Sequence, residues 1–457
     1  MKIKHHHSGK ATPDATGQPK DLTAVVANAK GEIFDLEGYA AVGADGHRRF
    51  ALTADNTIAL PHGSELMFLP DRMPVLMDVE TGRLLVLNRN PTNENEALYP
   101  VAAFNSPGVV LSGTCAYKER PRARILPLFA YGAVGWHSNE FRSAAIVVDT
   151  EPRQDLRRMA RDRVLSGVEQ MREQLPDNRL VRHLENCALT YGCPAAKNFF
   201  LGRYEAPLPT SSFCNARCRG CISLQSGKQL TSSQHRIAFT PSADEITQVA
   251  LAHIQQVRHG VVSFGQGCEG DPLMAAQVIG PAIRRIRRQT RAGTINMNTN
   301  ASLPSVLTAL LDDGLDSIRV SMNSVREACY DAYFRPKGYR FAHVAESIDL
   351  AVARGAHVAI NYLSCPGFTD SAEEAAALSV FLEKHPVNMI QWRNLNFDPR
   401  RYLKEMDAAV SIGPPMGMDR LLQMIASRFP TLAFGYFNPP KERFQARLDR
   451  PQEQSPP

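Results

Sequence analysis

The sequence predicts an α/β protein: a partial (β/α)6 barrel in its second half, preceded by a β-rich region. Two observations carry this. From about residue 203, six short apolar strands alternate with amphipathic helices, the signature of parallel βαβ units with right-handed crossovers. Between about 21 and 150, apolar residues instead cluster or alternate between turn signals spaced too closely for helices. Doubly wound sheets share the first pattern, so periodicity alone leaves the curved barrel and the open sheet both standing.

In chain order, residues 1–20 are polar and read as a loose tail that includes His5, His6 and His7. The β-rich region, 21–150, contains GEIFDLEGYAAVG, RFALTAD, RMPVLMDVETGRLLVLN and FRSAAIVVD, with turns at Asp45-Gly46 and Thr81-Gly82. A helical connector occupies 151–202, with a helical pattern from Asp155 to Leu175 closed by Pro176. The α/β core, 203–410, begins with the strand-like YEAPLPTS. Ser242 and Glu245 then have capping-box spacing at the head of a helix that Gly260 ends. VVSF, TINMNT, SIRVSMN, HVAINYL and NMIQWRNL supply the remaining strands, each separated from the next by a helical segment. Residues 411–457 form a C-terminal extension and a second loose tail.

Composition excludes several classes. With 457 residues, 44% hydrophobic and 21% charged, the chain has ordinary globular composition and can bury substantial cores. A net charge of +6 spread over this length neither requires nor excludes nucleic acid, and an anionic cofactor accounts for it equally well. No apolar run is long enough to span a bilayer, and the N-terminus lacks the apolar stretch of a signal peptide. Nine unevenly placed cysteines without such a signal read as metal ligands or reactive groups before disulfides, so the cytoplasm is the expected compartment.

Three of those cysteines form the sharpest motif. Cys214, Cys218 and Cys221 have the spacing C-x3-C-x2-C, directly after the first strand of the core. Three thiolates on one loop can hold three irons of a 4Fe-4S cluster and leave the fourth iron open. An open position is what a catalytic metal needs. Asn215, Ala216 and Gly220 let the backbone wrap tightly, and Arg217 and Arg219 can offset the charge. A zinc site completed by a fourth residue, or three reduced thiols, fit the triplet too.

In this spacing and placement the chain resembles the radical SAM superfamily, whose signature is C-x3-C-x-φ-C with φ usually aromatic. Here Gly220 stands at φ. The family's Gly-Gly-Glu-Pro-like element after its second strand, which binds the methionine amino group, overlays Gly270, Asp271 and Pro272, with Glu269 where a glycine is common. Asn298, Thr299 and Asn300 end the next strand, and Ser321 and Asn323 the one after, where the family binds ribose. The resemblance covers roughly 203–410 and implies a radical-SAM-type barrel. It further implies a 4Fe-4S cluster on Cys214, Cys218 and Cys221, with S-adenosylmethionine held by Gly270, Asp271, Glu269, Asn300, Ser321 and Asn323. A one-electron donor such as flavodoxin or ferredoxin would drive cleavage to a 5′-deoxyadenosyl radical that takes hydrogen from an unknown substrate. Peptide, protein and RNA modification all fit.

The remaining cysteines raise a further possibility. Cys268 lies in the glycine-rich loop, so it is a candidate catalytic thiol, and with Cys187, Cys193 and Cys365 a candidate ligand of a second cluster. Against this, free cysteine is often a small buried hydrophobe. Two other classes compete with the enzyme: a non-catalytic iron–sulfur or zinc protein, and a nucleic-acid binder using Arg284, Arg285, Arg287 and Arg288. The first makes no 5′-deoxyadenosine; the second predicts affinity that falls steeply with salt.

Overall fold

Seven parallel strands, hydrogen-bonded in chain order, form a curled half-barrel sheet: β1 (Glu205–Pro207), β2 (Val261–Phe264), β3 (Thr294–Thr299), β4 (Ser317–Met322), β5 (His357–Ser364), β6 (Met389–Asn394) and β7 (Ala433–Gly435). The computed structural model describes residues 21–444 except 226 and 228, so the predicted tails 1–20 and 445–457 lie outside the described residues. The sequence reading counts six strands; the seventh, β7, adds a parallel edge beyond β6. Its three residues are too few to show a periodicity.

The helices form where apolar spacing and caps prescribe. Ser242 and Glu245 close the expected capping box on the helix Ala243–Gln256, whose Ile246, Val249 and Ala250 are fully buried. That helix also carries His253, 1% exposed, its Nε2 3.3 Å from the Tyr204 carbonyl. Burial pulls its pKa from 6.5 down to about 4. A depressed folded-state pKa gives stability that is complete above the unfolded value and lost as pH falls. Between pH 6.5 and 4, His253 should therefore withdraw up to about 3 kcal/mol. Urea unfolding of the wild type and His253→Phe at pH 7 and 4.5 measures this; equal pH slopes would refute it.

In the connector, the helix begins at Arg161 rather than near Asp155, and runs to Gln174. Two 3-10 turns precede it, because the Asp155 carboxylate accepts the Arg157 N–H and stabilises a local turn instead. The β-rich region is antiparallel throughout. Thr23–Ala27 pairs with Ile33–Ala40, Tyr99–Phe104 and Val134–His137, and Arg72–Asp78 forms a hairpin with Leu84–Val86.

This region packs on the C-terminal ends of β5 and β6. The backbone of Val109–Leu111 brackets Asn394, whose amide donates to the Val109 carbonyl and accepts the Leu111 N–H. Arg72, 1% exposed, ion-pairs at 3.2 Å with fully buried Asp398, which also caps the helix Pro399–Ala409. At the other edge, the chain leaving β7 turns back through the barrel interior. Asn438 there donates to Glu205 on β1 (2.9 Å) and accepts from Gln391 on β6 (3.0 Å).

Candidate functional site

A cavity of about 270 Å³ opens beside the ends of β2, β3 and β4. Cys214, Cys218 and Cys221 line it together with Glu269, Gly270, Asp271, Asn300 and Ser321. The structure thus gathers eight of the ten residues predicted from the sequence. A larger hollow, about 640 Å³, lies between the helices Arg161–Gln174 and Arg179–Leu189, but no cysteine or histidine lines it.

The cysteine loop is held from two sides. Gly270 N–H donates to the Ser211 carbonyl (2.6 Å) and Asp271 N–H to the Phe213 carbonyl (2.9 Å), so the glycine-rich loop runs against the approach to Cys214. A Cβ on Gly270 would come within 1.8 Å of the Phe213 oxygen, so only glycine allows this contact. On the other side, Arg217 and Arg219 N–H donate to the carbonyls of Phe334 and Tyr333. A Cβ on Gly220 would lie 2.6 Å from the Tyr333 hydroxyl oxygen. Tyr333 therefore accounts for the missing aromatic: it occupies the space into which a side chain at 220 would project. The neighbouring Phe334 ring lines the cavity.

Burial pushes the Cys214 thiol up to about 11 and Cys218 well above its ordinary value, with neighbouring Asp271, Cys214 and Cys221 adding to it. Sulfurs that oppose one another's ionisation in this way become thiolates when a cation is bound between them. The positive charge nearest a sulfur comes from Arg236, whose Nη2 lies 3.5 Å from Cys221 Sγ. Arg219 instead pairs with Glu405 at 2.9 Å.

Glu269 and Asp271 both act on the backbone. The Glu269 carboxylate accepts four N–H groups, from Thr210 (2.7 Å), Ser211 (2.9 Å), Gly265 (2.8 Å) and Gln266 (2.7 Å), and so staples the loops after β1 and β2. Burial raises its pKa to about 7 while those donors oppose the rise. Asp271 accepts Leu273 N–H, the Thr299 hydroxyl and Asn300 N–H, joining the loop after β2 to the end of β3. Burial raises it to about 6.

Two predicted residues stand apart from the cavity lining. Asn323, fully buried, donates to the Cys329 carbonyl (3.2 Å) and the Tyr402 hydroxyl (3.0 Å). Cys268, 6% exposed, has its sulfur 3.4 Å from His183 Nε2. Conversely, Arg236, Phe334, Arg319 and Asn361 line the cavity without having been singled out in the sequence. Arg319 shares β4 with Ser321 at two-residue spacing, so strand alternation could have found it. Arg236 and Phe334 arrive from loop and helix ends that no local pattern marks.

The polar lining also fits a bound ligand. Arg319 Nε and Asn361 Oδ1 are buried without a protein partner, a donor and an acceptor on adjacent strands. Burial, with Arg393 beside it, presses the Arg319 pKa down to about 9, which leaves it charged at neutral pH. On the outer helix, by contrast, Arg284, Arg285 and Arg287 are paired with Asp313, Asp244 and Asp316. Their charge is answered within the chain, which removes much of the case for a nucleic-acid surface there.

The chain therefore presents a parallel half-barrel with a cysteine loop after its first strand. The family model described as Radical SAM superfamily matches residues 208–378, less than half of the chain. No curated protein matches the chain. Among solved structures, similarity extends to Streptococcus suis SuiB bound to precursor peptide SuiA, at 14% identity and TM-score 0.36, covering 52% of each chain. The alignment thus spans about half the length of SuiB. The FeFe-hydrogenase maturase HydG from Carboxydothermus hydrogenoformans is similar at 12% identity and TM-score 0.37, covering 63% of this chain and 72% of that one. A radical SAM methyltransferase from Sphaerobacter thermophilus is similar at 15% and 0.36, over 51% of this chain and 66% of that one. Among the described residues, no helix is long and apolar enough to cross a membrane.

Proposed function

We propose that this protein is a radical SAM enzyme that reductively cleaves S-adenosylmethionine to begin hydrogen abstraction from a substrate. The observation that carries the reading is one cavity lined at once by Cys214, Cys218, Cys221, Asp271, Asn300 and Ser321. When bound, a 4Fe-4S cluster would supply one electron to the sulfonium and so generate the hydrogen-abstracting radical. The thiolates of Cys214, Cys218 and Cys221 would hold three irons and leave one position open. Arg236 offsets the negative charge at Cys221, and the Tyr333 and Phe334 carbonyls fix the loop that carries all three sulfurs.

The glycine-rich loop and the polar strand ends would hold the nucleoside cofactor, with Phe334 offering an apolar face. Glu269 and Asp271 serve this by rigidity, since their oxygens already accept protein donors. Deeper in the barrel, Arg319 supports an anionic group on the substrate or cofactor. Its unpartnered Nε would otherwise remain a buried donor without an acceptor. The electron would come from a small redox protein such as flavodoxin or ferredoxin.

The test is anaerobic reconstitution with iron, sulfide, S-adenosylmethionine and dithionite, followed by assay for 5′-deoxyadenosine. Wild type should form it and Cys218→Ala should not, a loss of roughly 1,000-fold or more. A wild-type protein with an intact cluster that makes none would instead favour a non-catalytic iron–sulfur protein. Binding of a single zinc by the three cysteines would favour a zinc protein.

A further inference from the structure

We infer that His183, Cys187 and Cys268 form a second, mononuclear metal site that takes a zinc-like divalent ion. Among the described residues this is the one group of histidine, cysteine and carboxylate ligand atoms lying within 4.8 Å of one another. His183 Nε2 is 3.5 Å from Cys187 Sγ and 3.4 Å from Cys268 Sγ. A tetrahedral ion with metal–sulfur bonds of about 2.3 Å and metal–nitrogen bonds of about 2.0–2.1 Å sets sulfur and nitrogen about 3.6 Å apart. The trio is therefore spaced for one ion. A 4Fe-4S cluster binds each thiolate on a different iron and spreads the sulfurs further. The cysteines at 214, 218 and 221 do not close to the tighter spacing, so the two groups suit different guests.

The ligands sit on rigid supports. His183 and Cys187 are one turn apart on the helix Arg179–Leu189, on the same face. Asn178 caps that helix through Leu180 and Val181 N–H, and its amide donates to the Glu245 carbonyl. Cys268 comes from the glycine-rich loop, where its carbonyl accepts Ile237 N–H at 2.7 Å. Cys187 and Cys268 are buried and His183 is half-buried, so the fourth position is left to a water. Cys193 lies close by, its N–H donating to the Cys187 carbonyl at 2.9 Å, but its sulfur is not among the ligand atoms that close to within 4.8 Å of one another. An ion here would tie the connector to the loop that carries Gly267, Glu269 and Gly270 along the cavity wall. Its role is positioning, and it is independent of whether the neighbouring cluster cleaves S-adenosylmethionine.

The experiment uses the full chain with Cys214, Cys218 and Cys221 replaced by alanine and His5, His6 and His7 by serine, purified anaerobically, so that neither group competes with this site for metal. Zn²⁺ is titrated against a chromophoric chelator, and Co²⁺ binding is followed by absorption. One ion per chain is expected, with thiolate-to-cobalt charge transfer and the intense visible bands of a tetrahedral site. Cys187→Ser combined with Cys268→Ser should weaken zinc roughly 100-fold or more, whereas Cys193→Ser should bind as before. Should the serine variant unfold, His183→Cys gives a second readout: it should keep the ion and strengthen the charge-transfer band. The inference is overturned by octahedral cobalt, by no retained ion, by unchanged affinity in the double variant, or by a four-iron cluster assembled on these residues.

Discussion

Gly270→Ala should lose about 3 kcal/mol of stability and most of its capacity to retain iron. The new methyl would come within 1.8 Å of the Phe213 oxygen, a backbone atom that cannot rotate aside. The two segments must therefore separate, which strains the packing by about 1–3 kcal/mol. Separation also weakens two hydrogen bonds, from Gly270 N–H to Ser211 and from Asp271 N–H to Phe213, each contributing about 1 kcal/mol. Because Phe213 immediately precedes Cys214, the displacement passes directly to the first sulfur. Urea unfolding and iron content after anaerobic reconstitution measure the two effects separately. Wild-type values for both would show that the loops are not in register as described.

Arg72→Met should destabilise by about 3–5 kcal/mol, although it lies in the β-rich region, far along the chain from the cysteines. Arg72 is 1% exposed, and its fully buried partner Asp398 would be left as an unpaired charge. A second change, Asp398→Asn, should recover much of the loss, because asparagine removes the charge and can still cap the helix Pro399–Ala409. Thermal melts of the two single variants and the double variant form the required cycle. If the double variant is no more stable than Arg72→Met alone, the loss comes from packing rather than from charge.

The sequence made the barrel legible because its strands and helices repeat and its helix starts are explicit. Ser242 with Glu245 is an example, realised as a capping box. The cysteine spacing pointed to the cavity for the same reason: the three thiols that line it sit on eight consecutive residues. What stayed hidden depends on contacts across long separations. His183 meets Cys268 from 85 residues away, and Arg236 reaches Cys221 from a loop without regular structure. Asn323 shows the converse. A polar residue ending a strand could face a ligand, yet it turns to Tyr402, 79 residues on. Gly220 departs from the family signature for a reason visible only in three dimensions, since the Tyr333 hydroxyl already fills the space beside it. In the β-rich region the central strand Thr23–Ala27 was not singled out in the sequence, although it pairs with three others.

Asn438 has a consequence for the order in which the chain can mature. It bonds Glu205 at the start of the sheet and Gln391 near its end, and it reaches the interior only after β7 has been laid down. During synthesis, then, the earlier strands must wait for residue 438 to emerge from the ribosome before their polar interior is satisfied. Closure of the polar interior is accordingly a late step in folding. A ribosome stalled before that point would present Glu205 and Gln391 without this partner, to chaperones and proteases instead.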